Sequence, residues 1–453
     1  MNKNDEIELE ILDNGINFEG ISRVDNKVVF VPDAIKGEKV LTKIIKVNKS
    51  FCIGKIEKIL EESSKRQTPF CSVYKRCGGC SAQHIKYKAQ LEIKYENVKN
   101  TLAKQDIKYE SLDKVIGMGI PYNYRNKAQY PVRIGKDGKN KIGFYAKRSH
   151  EVIENEECLI QNQDIDRLSK EVFKLLLLKG FVGYNELTNQ GDIRHILIRR
   201  GYHTNETMIV IVVNKKEIFE DVRIEEIVKI LKESNDKIKS IILNFNPSKT
   251  NEILGEEEKL VYGVEYITDY IGEYKYYISS KSFFQVNTVQ AEVLYNKLKE
   301  LLNLKGDEIL FDLYSGVGSI GIFLSSNVKK VYGIEIEEQA VKMANLNLEA
   351  NNVKNAEYIA GSVDKKIAEF EKRNIHPDVI VIDPPRKGLD LESIEYIIKF
   401  RPKKIGYVSC SPATLARDLK LLSTYYDIGK VVPVDLFPNS VHCEVVTNLE
   451  LKK

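Results

Sequence analysis

Apolar positions in the first sixty residues alternate with polar ones in short runs: Ile7–Leu12, Lys27–Val31, Glu38–Val47 and Cys52–Ile59, separated by Asp-Asn, Pro-Asp and Lys-Gly breaks. That period predicts strands. Several strands so closely spaced predict a small OB-like β-barrel. A helical stretch is expected from Ile85 to Lys104. Residues 120–270 mix strands and helices, and Tyr124–Arg133 and Arg194–Arg200 alternate like strands with basic faces. From Tyr277 onward strands and helices take turns. Ile309–Leu313, Val331–Ile336, Val379–Ile382 and Lys404–Val408 read as strands, and Glu337–Asn351 reads as a helix with Ala340, Val341, Ala344 and Leu348 on one face. Such alternation predicts a parallel, doubly wound sheet, in which ligands bind beyond the carboxyl ends of the strands. The expected fold is multidomain α/β: a barrel over 1–60, a central α+β unit over 61–275 and a Rossmann-like unit over 276–453.

Composition narrows the class. The 453 residues are 43% hydrophobic, which supplies ample core and excludes disordered and fibrous classes. Sixty-nine basic against 65 acidic residues leave a net charge of only +4. Any nucleic-acid surface must therefore be local, and the candidates are the lysines between Lys36 and Lys58 and the two basic strands. No apolar run approaches the roughly 18 residues that span a bilayer, and no apolar segment follows the N-terminal Met1. A cytoplasmic protein without membrane contact, acting as a monomer, is expected. The seven cysteines, in a reducing compartment, read as metal ligands, nucleophiles or buried thiols.

Chemistry gathers at the predicted strand ends. Phe311-Asp-Leu-Tyr314-Ser-Gly316-Val-Gly318-Ser-Ile-Gly321 is a strand, a glycine turn and a helix start. Such a turn lets backbone approach an adenosine-bearing ligand, and Glu335, closing the next strand, can accept from ribose hydroxyls. NAD, FAD and S-adenosylmethionine all fit that pattern. Asp383-Pro-Pro-Arg386 makes a rigid loop after another strand, since two prolines cannot continue a ladder. No partner site for hydride transfer is evident, so methyl transfer to a nucleobase fits better. Ser409-Cys410-Ser411-Pro412 places a cysteine at a strand end. In the strand-like run Val441–Val446, alternation puts His442 and Glu444 on one face and Cys443 in the core. These two groups suit one reaction. A thiolate added at C6 of uracil makes C5 nucleophilic enough to take a methyl group, after which a base removes the C5 proton.

With these motifs, together with Phe284-Gln285-Val286-Asn287, the whole chain resembles the RNA uracil-C5-methyltransferase family, specifically its iron–sulfur-containing 23S rRNA branch. The resemblance implies a class I methyltransferase domain with S-adenosylmethionine contacts at Gln285, Tyr314, Glu335 and Asp383 beside the Gly316 and Gly318 turn. It implies Cys410 as nucleophile, Glu444 as base, 23S rRNA as partner and an N-terminal TRAM-like RNA-binding barrel. Ser411 departs from the pattern, many relatives carrying Asn there. A transfer-RNA substrate is the alternative within the family.

The remaining cysteines need their own account. Cys71-x5-Cys77-x2-Cys80, with Gly78 and Gly79 in the loop, offers three thiolates, and Cys158 can supply a fourth. Spacing alone allows zinc or a cluster, although zinc sites usually pair two C-x2-C units. The resemblance implies a 4Fe–4S cluster on Cys71, Cys77, Cys80 and Cys158. A radical-SAM methylthiotransferase competes, but its loop is C-x3-C-x2-C. A non-catalytic RNA-binding factor should lack Cys410 or Glu444. Cys52 and Cys443 read as core, and the scattered histidines form no ligand set.

Overall fold

The computed structural model describes the backbone of residues 1–453 and all side chains except those of 364, 367 and 368. The N-terminal unit is a six-stranded sheet of β1 (Glu6–Glu10), β2 (Asp13–Asn14), β3 (Gly20–Val24), β4 (Lys27–Val31), β5 (Lys39–Val47) and β6 (Phe51–Glu61), ordered β1-β5-β6-β4-β3-β2. The β5–β6 pair carries three register shifts, and irregularities of this kind bend a ladder. The sheet encloses Leu9, Val29, Val31, Val40, Ile44 and Cys52. Close approach explains Gly54, where a Cβ would come within 2.2 Å of Thr42 Cγ2. The unit is clamped to the chain that follows by Arg66. Its Nε and Nη2 donate to the fully buried Glu38 at 2.5 and 2.8 Å.

Helix α1 (Tyr87–Ala103) and strand β7 (Tyr109–Leu112) come next. The central sheet is built from β8 (Lys127–Ile134), β9 (Asn140–Ile142), β12 (Ile193–Arg200), β13 (Thr207–Val213), β14 (Ile238–Phe245) and β15 (Glu257–Gly263), ordered β15-β14-β13-β12-β8-β9. Strands β10 (Phe144–Tyr145) and β11 (Val152–Ile153) form a ribbon beside it. Helices α2 (Gln163–Leu178) and α3 (Val222–Ser234) pack on this sheet, Ile165, Leu168, Val172 and Leu176 recurring at helical spacing against Ile196, Ile198 and Ile209.

The two basic strands form as expected, pairing antiparallel, but several of their basic side chains lie inside, Arg125, Lys127 and Arg200 alone staying partly exposed. Arg133, Arg194, His195 and Arg199 are all buried. Arg194 stacks on the Tyr184 ring at 4.4 Å and donates to the carbonyls of Asn246 and Ser248 at 2.6 and 2.7 Å. Arg199 donates to the carbonyls of Ser280 and Ser282. A guanidinium can be buried when its planar fork finds carbonyls and an aromatic face. These arginines are therefore internal ties, and this part of the expected RNA surface is corrected.

The C-terminal part opens with the hairpin β16 (Tyr266–Ile271) and β17 (Tyr274–Ser279) and helix α4 (Thr288–Leu302). There follow β18 (Ile309–Leu313), α5 (Ser319–Leu324), β19 (Lys330–Glu335), α6 (Glu338–Ala350), β20 (Ala356–Ala360), α7 (Val363–Lys372), β21 (Val379–Ile382), α8 (Leu391–Phe400), β22 (Lys404–Ser409), α9 (Pro412–Leu422), β23 (Tyr426–Val434) and β24 (Glu444–Leu451). The sheet order is β20-β19-β18-β21-β22-β24-β23-β7. Strands β18 to β22 run parallel, and β24 runs antiparallel between β22 and β23. The direction of winding reverses between β18 and β21, the position at which such sheets open a ligand crevice. The outermost strand, β7, comes from far earlier in the chain and pairs parallel with β23. Val98, Leu102 and Ile107 share a core with Tyr407, Leu415 and Leu419, so α1 and β7 pack as part of this body.

Candidate functional site

Two pockets open at the carboxyl ends of β18, β19, β21 and β22. The first, about 230 Å³, is lined by Tyr314, Ile334, Ile336, Val363, Pro385 and Asp390 among others. Its floor is the turn after β18. Tyr314 stands at φ +62°, an uncommon conformation for a bulky residue, and its hydroxyl meets Ser393 Oγ at 2.9 Å. Gly316 is at φ +55°, with nothing within 4 Å of where a Cβ would be. Glu335 clasps the turn: its Oε2 accepts from Gly316 N at 2.9 Å and its Oε1 from Glu337 N at 3.0 Å. Gly318 and Gly321 have a different task. A Cβ on either would strike Tyr358, whose hydroxyl donates to Gly318 O at 3.1 Å. The sequence motif G-x-G-x-x-G thus divides into one glycine with open space beside it and two that admit a core tyrosine.

The second pocket, about 240 Å³, holds Arg386, Cys410, Ser411 and His442, with Lys94 and Asn97 from α1. Pro385 lines the first pocket and Arg386 the second, so the Asp383–Arg386 loop stands between them. Cys410 lies between the end of β22 and α9, where Ser411 caps the helix by accepting from Thr414 N at 3.4 Å and Pro412 occupies the first turn. Ser409, the last residue of β22, pairs with Val445, the second residue of β24; Cys410 follows the one and Glu444 precedes the other, and the charge of Glu444 acts on the Cys410 thiol. The expected strand Val441–Val446 is corrected at its start. It begins at Glu444, because His442 N turns back to Ser440 Oγ at 3.3 Å. Cys443 is core, as expected.

Burial dominates the electrostatics. It pushes Glu444 up to about 8, the charge of Asp383 adding to the effect and Arg386 opposing it. Burial also pushes Asp383 and Asp312 up to about 7. The Cys410 thiol goes up to about 11, through burial first and then the charges of Glu444 and Asp383, again opposed by Arg386. A carboxyl whose folded value exceeds its ordinary one holds its proton longer in the folded chain, so stability is lost as pH rises between the two values. For Glu444 that window runs from 4.5 to about 8. The ligand-free wild type should therefore melt lower at pH 8.5 than at pH 5. Glu444→Gln should melt above wild type by about 3 °C or more at pH 8.5, with no gain at pH 5. Calorimetry at the two pH values checks this, and an equal offset at both would contradict it.

Residues 2–56 match the TRAM domain. Residues 86–452 match the family tRNA (uracil-5-)-methyltransferase. The chain belongs to that family. Among relatives of this uracil-5-methyltransferase, RNA methyltransferases described as uncharacterized from Clostridium acetobutylicum and Clostridium tetani are 45% and 44% identical. Each alignment covers 98% of this chain and 96% of the relative. The crystal structure of Pyrococcus abyssi tRNA (uracil-54, C5)-methyltransferase with S-adenosyl-L-homocysteine superposes with TM-score 0.77 at 28% identity, over 98% of this chain and all of that one. The fold is thus a TRAM unit followed by a class I methyltransferase fold. The family activity is RNA uracil-5 methylation with S-adenosylmethionine as donor. The first pocket has Tyr314 and the apolar Ile334, Ile336 and Val363 in its wall, and the adjoining turn has open space over Gly316, carboxylate acceptors on Glu335 and a buried Ser315 Oγ without a partner among the described residues.

Gln285 is buried just before α4, its carbonyl accepting from Asn126 Nδ2 at 2.9 Å. Its neighbour Val286 lines a further cavity of about 330 Å³, whose wall includes Cys71, Cys77, Cys80 and Cys158. The expected set is thus brought together around one space. Among the described residues, however, no three His, Cys, Asp or Glu gather as a group that could hold a metal ion. Among the described residues no helix is long and apolar enough to cross a membrane.

Sequence reasoning missed two groups. One is Tyr295 of α4, buried where Asp383, Asp312 and Glu444 all act on it, its hydroxyl meeting Ser319 Oγ at 2.9 Å. The other is Lys94 of α1, fully buried with Nζ 2.6 Å from Asp435 Oδ1. Tyr87 OH also donates to Asp435, at 2.9 Å, and Gln90 is bonded to Asn439 through both ends of its amide. Helix α1 thereby sets the segment that delivers Glu444.

Proposed function

We propose that this chain methylates C5 of a specific uridine in 23S rRNA, acting as a monomer in the cytoplasm. Gln285, Tyr314, Gly316, Glu335 and Asp383 hold the methyl donor, and Gly318 shapes the same turn by admitting Tyr358. Cys410 adds through sulfur to C6, C5 displaces the methyl group from the donor sulfonium, and Glu444 takes the C5 proton. The C6–S bond then breaks and returns the thiol. The observation that carries this reading is that Cys410 and Glu444 flank the paired ends Ser409 and Val445 of β22 and β24, with Glu444 acting on the Cys410 thiol and Asp383 and Arg386 acting on both. Free cysteines throughout suit a reducing compartment.

Cys71, Cys77, Cys80 and Cys158 would hold a 4Fe–4S cluster; such a group, when bound, cross-links the loop and leaves no iron open. Support comes from the donor chemistry, four thiols, and from a cavity between them larger than one ion needs. Cys158→Ser, purified without oxygen, should lose most of its iron and melt lower; unchanged iron would remove Cys158 from the set.

Transfer RNA is a second reading, favoured by the likeness to the Pyrococcus enzyme. Fluorine at C5 blocks proton removal, so RNA containing 5-fluorouridine should trap a covalent adduct through Cys410. Fragments of 23S rRNA and bulk transfer RNA, offered separately with the donor, distinguish the two readings. No adduct with either would overturn both.

A further inference from the structure

The pocket around Cys410 is closed on one side by the barrel. Ile16 and Asn17, at the tip of the turn between β2 and β3, line it together with Arg386 and His442. Both are exposed, Ile16 by 54%, although an apolar side chain at a loop tip gains nothing from water. The turn around them is held from many sides. Asn14 Nδ2 donates to Phe18 O at 3.2 Å and Ala34 O at 3.0 Å, and its Oδ1 accepts from Lys36 N at 3.0 Å. Asn17 N donates to Glu19 Oε2 at 2.8 Å, and Asn97 Nδ2 of α1 donates to Gly15 O at 3.3 Å. Phe18 is buried at φ +65° among Ile35, Ile85 and Ile93. A bulky residue persists in that conformation only where its surroundings over-determine it, and such strain gathers at working sites. The buried Phe18 thus anchors the turn, and the two residues before it project at the rim of the pocket.

We propose that Ile16 and Asn17 contact the nucleotide flanking the target uridine and so determine which flanking base is accepted. This rests on the function proposed above. To reach the pocket a uracil must leave its stack, and the flanking base loses a neighbour. Ile16 offers that base an apolar surface in place of the lost stack. Asn17 carries a donor and an acceptor, which can read a base edge. The side chains are short and their backbone is fixed, so they can discriminate between bases and not merely attract phosphate.

The test uses the full chain and an RNA hairpin carrying the uridine mapped by fluorouridine trapping, with each flanking nucleotide changed in turn to the other three. Ile16→Ala/Asn17→Ala should raise KM for the native hairpin about tenfold with kcat little changed. It should also flatten the preference among flanking bases to within about twofold. Donor affinity should stay as in wild type, which excludes a loosened fold. A variant that keeps the wild-type KM and the wild-type preference overturns the inference while leaving the proposed function intact. A wild type that methylates none of the hairpins overturns both.

Discussion

A Glu444→Gln variant given donor and substrate RNA will accumulate a covalent RNA–protein complex that survives a denaturing gel, and its turnover will fall by about 10²–10⁴-fold. Glutamine keeps the shape of the side chain and removes its ability to take a proton. Addition through Cys410 and methyl transfer can still proceed, and the chain then stalls with C5 fully substituted. Cys410→Ala should show neither complex nor product. Glu444 and Asp383 both hold the Cys410 thiol up, so neutralising Glu444 should also lower the pH at which Cys410 is alkylated by iodoacetamide. That shift, read by mass spectrometry on the Cys410 peptide, reports the proximity of the two groups without any RNA. Product released at the wild-type rate, with no trapped complex, would remove Glu444 from the role of base.

The largest loss of stability should come from Lys94→Met. The methionine fills the space, but Asp435 is left with its charge fully buried and its principal partner gone. Breaking one side of a buried pair costs about 3–5 kcal/mol, more than most core truncations of similar size. Denaturant titration should show the midpoint falling. Adding Asp435→Asn to the same chain should recover part of the loss, since the isolated charge is then absent. If Lys94→Met is neutral, the pair does not hold α1 to the segment before Glu444. Turnover should fall further than stability alone explains, because that segment carries Glu444 into the pocket.

Those two experiments probe different levels of what a sequence displays. Cys410, Asp383 and the Gly316 turn were legible because each follows a continuous apolar strand, and an α/β sheet puts chemistry at strand ends. Glu444 was legible as a residue but not through its alternation with His442, since the strand starts only at Glu444 itself. The Lys94–Asp435 pair was not legible, because nothing local marks two residues 341 positions apart as partners. The arginines of β8 and β12 were misread as a solvent face because alternation reveals two faces without saying which is wet. Arginine on carbonyls and tyrosine rings defeats the usual assignment of charge to the outside. The cysteine triplet announced a shared space, and Cys71, Cys77, Cys80 and Cys158 do line one cavity.

Strand β7 and helix α1 leave the ribosome early, yet the strand and core they complete belong to the last elements translated. For most of synthesis Val98, Leu102 and Ile107 have no partner surface, and β7 offers bare backbone to any strand nearby. A message truncated before Tyr426 therefore yields a barrel and central sheet able to form, with a sticky helix and strand between them. Such a fragment should be found in aggregates or on chaperones, while the full chain is not.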